Sequence, residues 1–203
     1  FGAACDKCGD VLPGQAADPD EALICDECTR APRPWDYGRA VFGYGGNGRK
    51  LVLALKHGDR ADVARAAGPW MARAVADIVR DDTLIVPVPL HWTRLARRRF
   101  NQAALLAHAL AGQTGLDVAP MAQMRVRATP TQDGRGREGR FSNVEAAIVP
   151  HPRRSSILEG RAILLVDDVM TSGATFVSAA GACFAAGADN VSVLALARVG
   201  QGT

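Results

Sequence analysis

Apolar positions along the chain fall into two kinds of run. From Arg60 to Val79, the residues Val63, Ala67, Trp70, Met71, Ala74, Val75 and Ile78 recur at spacings near three and four, which predicts an amphipathic helix, interrupted near Gly68-Pro69. Arg94 to Leu110, closed by Gly112, predicts a second helix with Leu95, Leu105, Leu106 and Leu110 facing inward. Thr83 to Val88, Ala162 to Val166 and Val191 to Ala197 are instead unbroken aliphatic runs, as strands covered on both faces require. Thr175 to Ala186, between the last two, is a helix of small residues. Upstream, Ala40 to Tyr44 reads as a strand, Gly45 to Gly48 as a turn and Arg49 to Lys56 as a short helix. Strand, helix, strand in that order is a right-handed parallel unit, so the larger part of the chain is expected to be an open, mostly parallel α/β sheet.

Two segments lack either period. Residues 1–34 are rich in Cys, Asp and Pro and end in Arg30-Ala31-Pro32-Arg33-Pro34, a stiff linker, which places a boundary between a small module (1–34) and a larger domain (35–203). Arg125 to Arg140 holds Pro, Gly and many Arg with almost nothing apolar, and is expected to be a long mobile loop.

Composition narrows the class. With 203 residues, 48% hydrophobic, the chain can close one sizeable core beside a small module. No run of 18 apolar residues and no secretory signal is visible, so a cytoplasmic address is expected, although with Phe1 rather than Met first that expectation rests on absence. The net charge of +3 is modest, yet Arg94, Arg97, Arg98 and Arg99 cluster, as do Arg125, Arg127, Arg135, Arg137 and Arg140. Such clusters suit a polyanion or are plain solvated faces. Aromatic content of 5% leaves few stacking platforms for single-stranded nucleic acid.

The densest chemistry lies in Leu164-Leu165-Val166-Asp167-Asp168-Val169-Met170-Thr171-Ser172-Gly173-Ala174-Thr175. Open parallel sheets bind ligands beyond the carboxyl ends of their strands, and this run straddles such an end. Two adjacent carboxylates, turned apart by strand alternation, can accept hydrogen bonds from vicinal sugar hydroxyls. Thr171, Ser172 and Thr175 add hydroxyls, Gly173 allows close backbone approach, and a helix begins there, which together make a phosphate cradle. The plainer alternative is that Asp168 and Thr171 only cap the helix while Asp167 faces solvent. The run resembles the motif of type I phosphoribosyltransferases for 5-phosphoribosyl-1-pyrophosphate (PRPP). That likeness implies that Asp167 and Asp168 hold the ribose hydroxyls and that Thr171, Ser172, Gly173, Ala174 and Thr175 hold the 5-phosphate.

Cys5-x-x-Cys8 and Cys25-x-x-Cys28, separated by residues 9–24, have the spacing of two knuckles folded over one tetrahedral zinc. Four thiolates leave no open coordination position, so the site is expected to be structural. Disulfides are the alternative. Cys183, in an apolar helix, reads as a core residue.

A cysteine module, a linker and a C-terminal PRPP motif in this order resemble the ComF family of competence proteins. Tyr44 with Lys56-His57-Gly58-Asp59, Val86-Pro87-Val88-Pro89-Leu90-His91, Arg98 to Gln102, and Arg125-x-Arg127-x-Thr129 with Gln132, Arg140 and Asn143 extend the likeness over most of the chain. Three positions depart from the family pattern: Arg99 stands where Gly is usual, Ile148 where Phe is usual, and Ser172 where Thr is commoner.

The resemblance implies a phosphoribosyltransferase-like protein that binds PRPP with Mg²⁺ and transfers phosphoribosyl to a nitrogen acceptor that the sequence does not identify. Pro87, Val88 and Pro89 would then belong to the loop receiving pyrophosphate, and Arg127, Arg135, Arg137 and Arg140 to a cationic flap over it. Lys56 would reach the same charge or stand as an ordinary exposed lysine, and His57 and His91 are read as bystanders. The family name supports another reading: a non-catalytic protein acting on single-stranded DNA during transformation with a helicase partner. A PRPP-sensing regulator is a third.

Overall fold

A computed structural model describes residues 3–13, 22–57, 60–91, 93, 95, 100–127 and 147–200. In chain order these form α1 (Asp26–Arg30), β1 (Gly38–Gly43), α2 (Gly46–His57), α3 (Ala61–Val75), β2 (Leu84–Pro87), α4 (Gln102–Thr114), β3 (Gln123–Arg125), β4 (Ile148–Pro150), β5 (Ala162–Met170), α5 (Ala174–Ala185) and β6 (Asn190–Arg198). Four strands make a sheet in the order β1-β6-β5-β2, every neighbouring pair parallel, while β3 and β4 form a separate antiparallel pair.

Alternation along β5 divides the core in two. Leu164 and Val166 point to a face covered by α2, α3 and α4, where they meet Val52, Leu55, Met71, Leu106 and Leu110. Ile163 and Leu165 point to the other face and pack with Phe176, Ala179 and Cys183 of α5, with Ile148, and with Trp35, Cys5, Cys8 and Cys28. The cysteine-bearing segment is thus part of the second core.

The aliphatic runs become the strands expected, with bounds shifted by a few residues, because a strand buried on both faces needs apolar side chains at every position. Five sequence expectations are corrected, the first being that helix α2 already begins at Gly46, inside the expected Gly45 to Gly48 turn. Helix α3 runs unbroken through Gly68-Pro69. A Cβ at Gly68 would meet the Ala109 carbonyl oxygen at 2.9 Å, so this glycine lets α3 lie closely on α4, whose packing holds the helix across the proline. Helix α4 continues past Gly112 to Thr114 and stops at Gly115, whose φ of 75° supplies the left-handed C-cap. Its N-cap is Asn101, whose side chain accepts from the Ala103 N–H and donates to the Val88 carbonyl. Leu95 is 42% exposed rather than inward. Strand β5 runs through the acid pair to Met170 and does not end at Val166, because β6 pairs with it as far as Arg198.

At the outer edge of β2, Ile85 exchanges backbone hydrogen bonds with Asp117 and Ala119. Val88 donates to Val166 on the inner side, so Pro87 and Pro89 turn their nitrogens away from β5. The expected mobile loop lies mostly outside the described residues, which resume beyond it at Ala147. Among the described residues no helix is long and apolar enough to cross a membrane.

Candidate ligand site and cysteine cluster

Strand β2 is in register with β5 only up to Pro87 opposite Val166, whereas β5 and β6 stay paired to Met170 and Arg198. Asp167 and Asp168 therefore stand just past the end of β2, with Pro87, Val88 and Pro89 leaving the sheet beside them. Alternation turns the two carboxylates apart. Asp168 lies on the side of α2, where Lys56 Nζ is 3.3 Å from its Oδ2. Asp167, on the α5 side, keeps partial exposure and accepts the Asp168 N–H on Oδ1 at 2.8 Å. Burial pushes the Asp167 carboxyl up to about 7 and the Asp168 charge adds to this, against the opposing pull of that N–H and of Lys56 and Arg125.

The turn follows directly. Thr171 is exposed, Ser172, Gly173 and Ala174 are buried, and Thr175 is half-buried in the first turn of α5. Gly173 is the N-cap with φ 79°, a conformation that costs any residue with a Cβ, and a Cβ there would also meet Arg33 Nη1 at 3.0 Å. Gly173 brings no side chain to cap α5, and Ser172 Oγ accepts the Ala174 N–H at 3.5 Å, so an anion at the helix's positive end would meet that hydroxyl together with the amides that follow.

Of the expected site residues, the structure thus brings together Asp167, Asp168, Lys56, Pro87, Val88, Pro89 and the 171–175 turn. Arg140 lies outside the described residues, as do Arg97, Arg98, Arg99, Arg135, Arg137, Gly58 and Asp59 and the side chain of His57. His91 is buried, with Nδ1 2.8 Å from Thr93 Oγ1. A cavity of about 410 Å³ lined by Tyr37, Arg39, Asp77, Arg80 and Asn190 opens at the amino ends of the strands, the opposite edge from the acids.

The four sulfurs of Cys5, Cys8, Cys25 and Cys28 lie within 4.8 Å of one another, with Cys8 and Cys25 at 3.6 Å. Tetrahedral zinc with Zn–S near 2.3 Å requires S···S separations of about 3.8 Å, so the cluster fits a metal such as zinc. All four are free thiols. Cys183 is a core residue: burial pushes its thiol up to about 12, and Gln123 reaches across to Sγ at 2.9 Å.

Three charged residues that the sequence reading did not single out for this site stand between cluster and turn. Glu27, within Cys25-x-x-Cys28, pairs with Arg33 at 3.2 Å and with Arg198 at 2.8 Å. Arg33 Nη1 donates to the Ser172 carbonyl at 2.8 Å, and Arg198 Nη1 to the carbonyls of Met170, Thr171 and Val199. No local signal marks them, since the partners are up to 171 residues apart.

An open parallel sheet with an acid pair and a glycine turn at its carboxyl edge, backed by a four-cysteine cluster, defines an α/β protein with a candidate site at its strand ends. More narrowly, the chain belongs to the ComF family, which includes the DNA utilization protein YhgH and Competence protein F. It is 34% identical to YhgH of Salmonella typhimurium strain LT2 over 199 residues, 96% of this chain and 83% of that protein. With YhgH of Escherichia coli K12 identity is 32% over the same shares, and with Competence protein F of Haemophilus influenzae 28%, covering 96% and 84%. No family model matches the chain. Among solved structures, it is similar to the glutamine PRPP amidotransferase of B. subtilis at 18% identity and TM-score 0.46, over 71% of this chain and 30% of that one. It is also similar to adenine phosphoribosyltransferase of Thermoanaerobacter pseudethanolicus at 15% identity and TM-score 0.42, over 68% and 82%. The chain therefore spans under a third of the amidotransferase's length.

Proposed function

We propose that the chain binds PRPP with Mg²⁺ at the carboxyl edge of β5 and transfers its phosphoribosyl group to a nitrogen acceptor, with residues 35–203 as the catalytic body and 1–34 as a zinc-held module. The observation that carries this reading is the placement of Asp167 and Asp168 past the end of β2, next to a turn that opens α5 through a left-handed Gly173.

In this reading the two carboxylates accept the vicinal ribose hydroxyls. The amides of the turn and the hydroxyls of Thr171, Ser172 and Thr175 hold the 5-phosphate, and the Pro87 to Pro89 segment receives pyrophosphate. A nitrogen nucleophile displaces pyrophosphate from C1 of the ribose, the C1–O bond breaking as the C1–N bond forms, so no side chain need act as nucleophile. The acids stabilise positive charge developing on the sugar, while Lys56 and the flap cations, Arg140 among them, stabilise the departing anion. The acid pair fits Mg²⁺, a hard cation that prefers oxygen ligands, and bound Mg²⁺ would neutralise the pyrophosphate charge.

The test is a thermal-shift titration. Millimolar PRPP with Mg²⁺ is expected to raise the melting temperature, and Asp167→Asn or Asp168→Asn to remove the shift; no shift in the unsubstituted protein overturns the reading. The names of the relatives, DNA utilization protein and Competence protein F, favour a second reading: handling of single-stranded DNA by a non-catalytic protein with a helicase partner. In that case DNA affinity falls steeply with salt, survives both Asp substitutions and drops when Arg97, Arg98 and Arg99 are replaced.

A further inference from the structure

We propose that Glu27, Arg33 and Arg198 form a buried relay through which the metal-loaded cysteine cluster sets the backbone donors of the 171–173 turn that grip the 5-phosphate. The phosphate part of this inference rests on the function proposed above; the mechanical part does not.

The relay has two ends. At one, Glu27 lies between Cys25 and Cys28, so a metal on the cysteines fixes its backbone. Its carboxylate forks, Oε1 to Arg33 and Oε2 to Arg198, and the side chains of the three are 10%, 1% and 2% exposed. At the other end, the same two guanidinium groups hold the carbonyls of Met170, Thr171 and Ser172 from behind. In a trans peptide the N–H points opposite to the C=O, and no cis bond occurs among the described residues. Fixing the Thr171 and Ser172 carbonyls toward the arginines therefore turns the N–H groups of Ser172 and Gly173 the other way, toward the open side of the turn. An anion would bind there.

Packing reinforces the link. Trp35 donates from Nε1 to the carbonyl of Lys7, between Cys5 and Cys8, and its ring meets Phe176 of the first turn of α5 edge-on at 6.1 Å. Arg33 and Arg198 share the one Glu27 carboxylate, at 3.2 and 2.8 Å. Two buried cations are tolerable here because one carboxylate and four backbone carbonyls surround them. Arginine suits the task, since its planar fork presents separate N–H groups to an acid and a carbonyl in fixed directions.

The experiment compares zinc-loaded full chains: unsubstituted, Glu27→Gln and Arg33→Lys. Metal content, backbone hydrogen exchange and ribose 5-phosphate affinity by calorimetry are measured on each. Expected are full metal content, faster exchange confined to residues 171–176, and ribose 5-phosphate affinity weakened about tenfold or more in at least one variant. Removing zinc from the unsubstituted chain with a chelator is expected to quicken exchange at 171–176 before the amides of β5 and β6, which supplies the answer even if both variants misfold. Exchange at the turn unchanged in a folded variant, or rising equally along the whole sheet on chelation, overturns the relay. Absence of ribose 5-phosphate binding in the unsubstituted chain, with the exchange pattern as expected, would count against the proposed ligand and leave the mechanical link standing.

Discussion

The two faces of the sheet are held by different physics. The α2, α3 and α4 face is an aliphatic core: Val52, Leu55, Met71, Val75, Leu106 and Leu110 are fully buried against Ile85, Leu164, Val166 and Leu194. Its stability follows buried area and close fit. The α5 face instead carries the four-cysteine cluster, two buried arginines and a shared glutamate, with Gln123 donating to the Ala179 carbonyl and the Ile148 N–H donating to Ser178 Oγ. A face built this way depends on its polar pairings, and on a metal wherever the four cysteines hold one. The 171–175 turn lies on this second face, where its carbonyls accept from buried arginines.

Substitutions can break that contrast. Cys8→Ser should have the largest effect, because a structural zinc contributes on the order of 10 kcal/mol in small modules. Metal content should fall towards zero, and exchange protection should be lost around α5 and residues 22–37 while α3 and α4 stay protected. Equal loss on both faces would show that the division is false. Next, Leu106→Ala should cost about 2–5 kcal/mol in urea unfolding without changing metal content. Gly173→Ala should cost about 1–2 kcal/mol from its left-handed backbone, with displacement of Arg33 in addition, and should weaken ligand binding more than Leu106→Ala does. The smallest effect is in pH. The folded state holds the Asp167 proton up to about pH 7, whereas the unfolded carboxyl loses it near 3.8. The folded chain therefore binds more protons across that window, and stability should decline as pH rises from about 4 through 7. Asp167→Asn should flatten that slope in melts at successive pH values.

The same contrast explains what could be read from the sequence. Unbroken aliphatic runs and three-to-four periodicity gave β2, β5, β6, α3 and α4, since burial acts on every residue of those elements. The acid pair, Gly173 and the cysteine spacing were legible because each is a local arrangement with a chemical reason. The Glu27, Arg33 and Arg198 link was not, because its partners are distant in sequence and each alone resembles a surface charge. Arg33 sits in a Pro-rich stretch that composition reads as a linker, yet it is only 8% exposed. The β3 and β4 pair, three residues each, is too short to show an alternation.

The prolines that flank Val88 have a second consequence. Beyond Ile85, the outer rim of β2 offers a newcomer strand no amide hydrogen at position 87 or 89, and residues 118 and 125 already bridge to Ile85 and His91, so little of that border is open to a further chain. The segment next to the acids thus also guards the protein against edge-to-edge self-association.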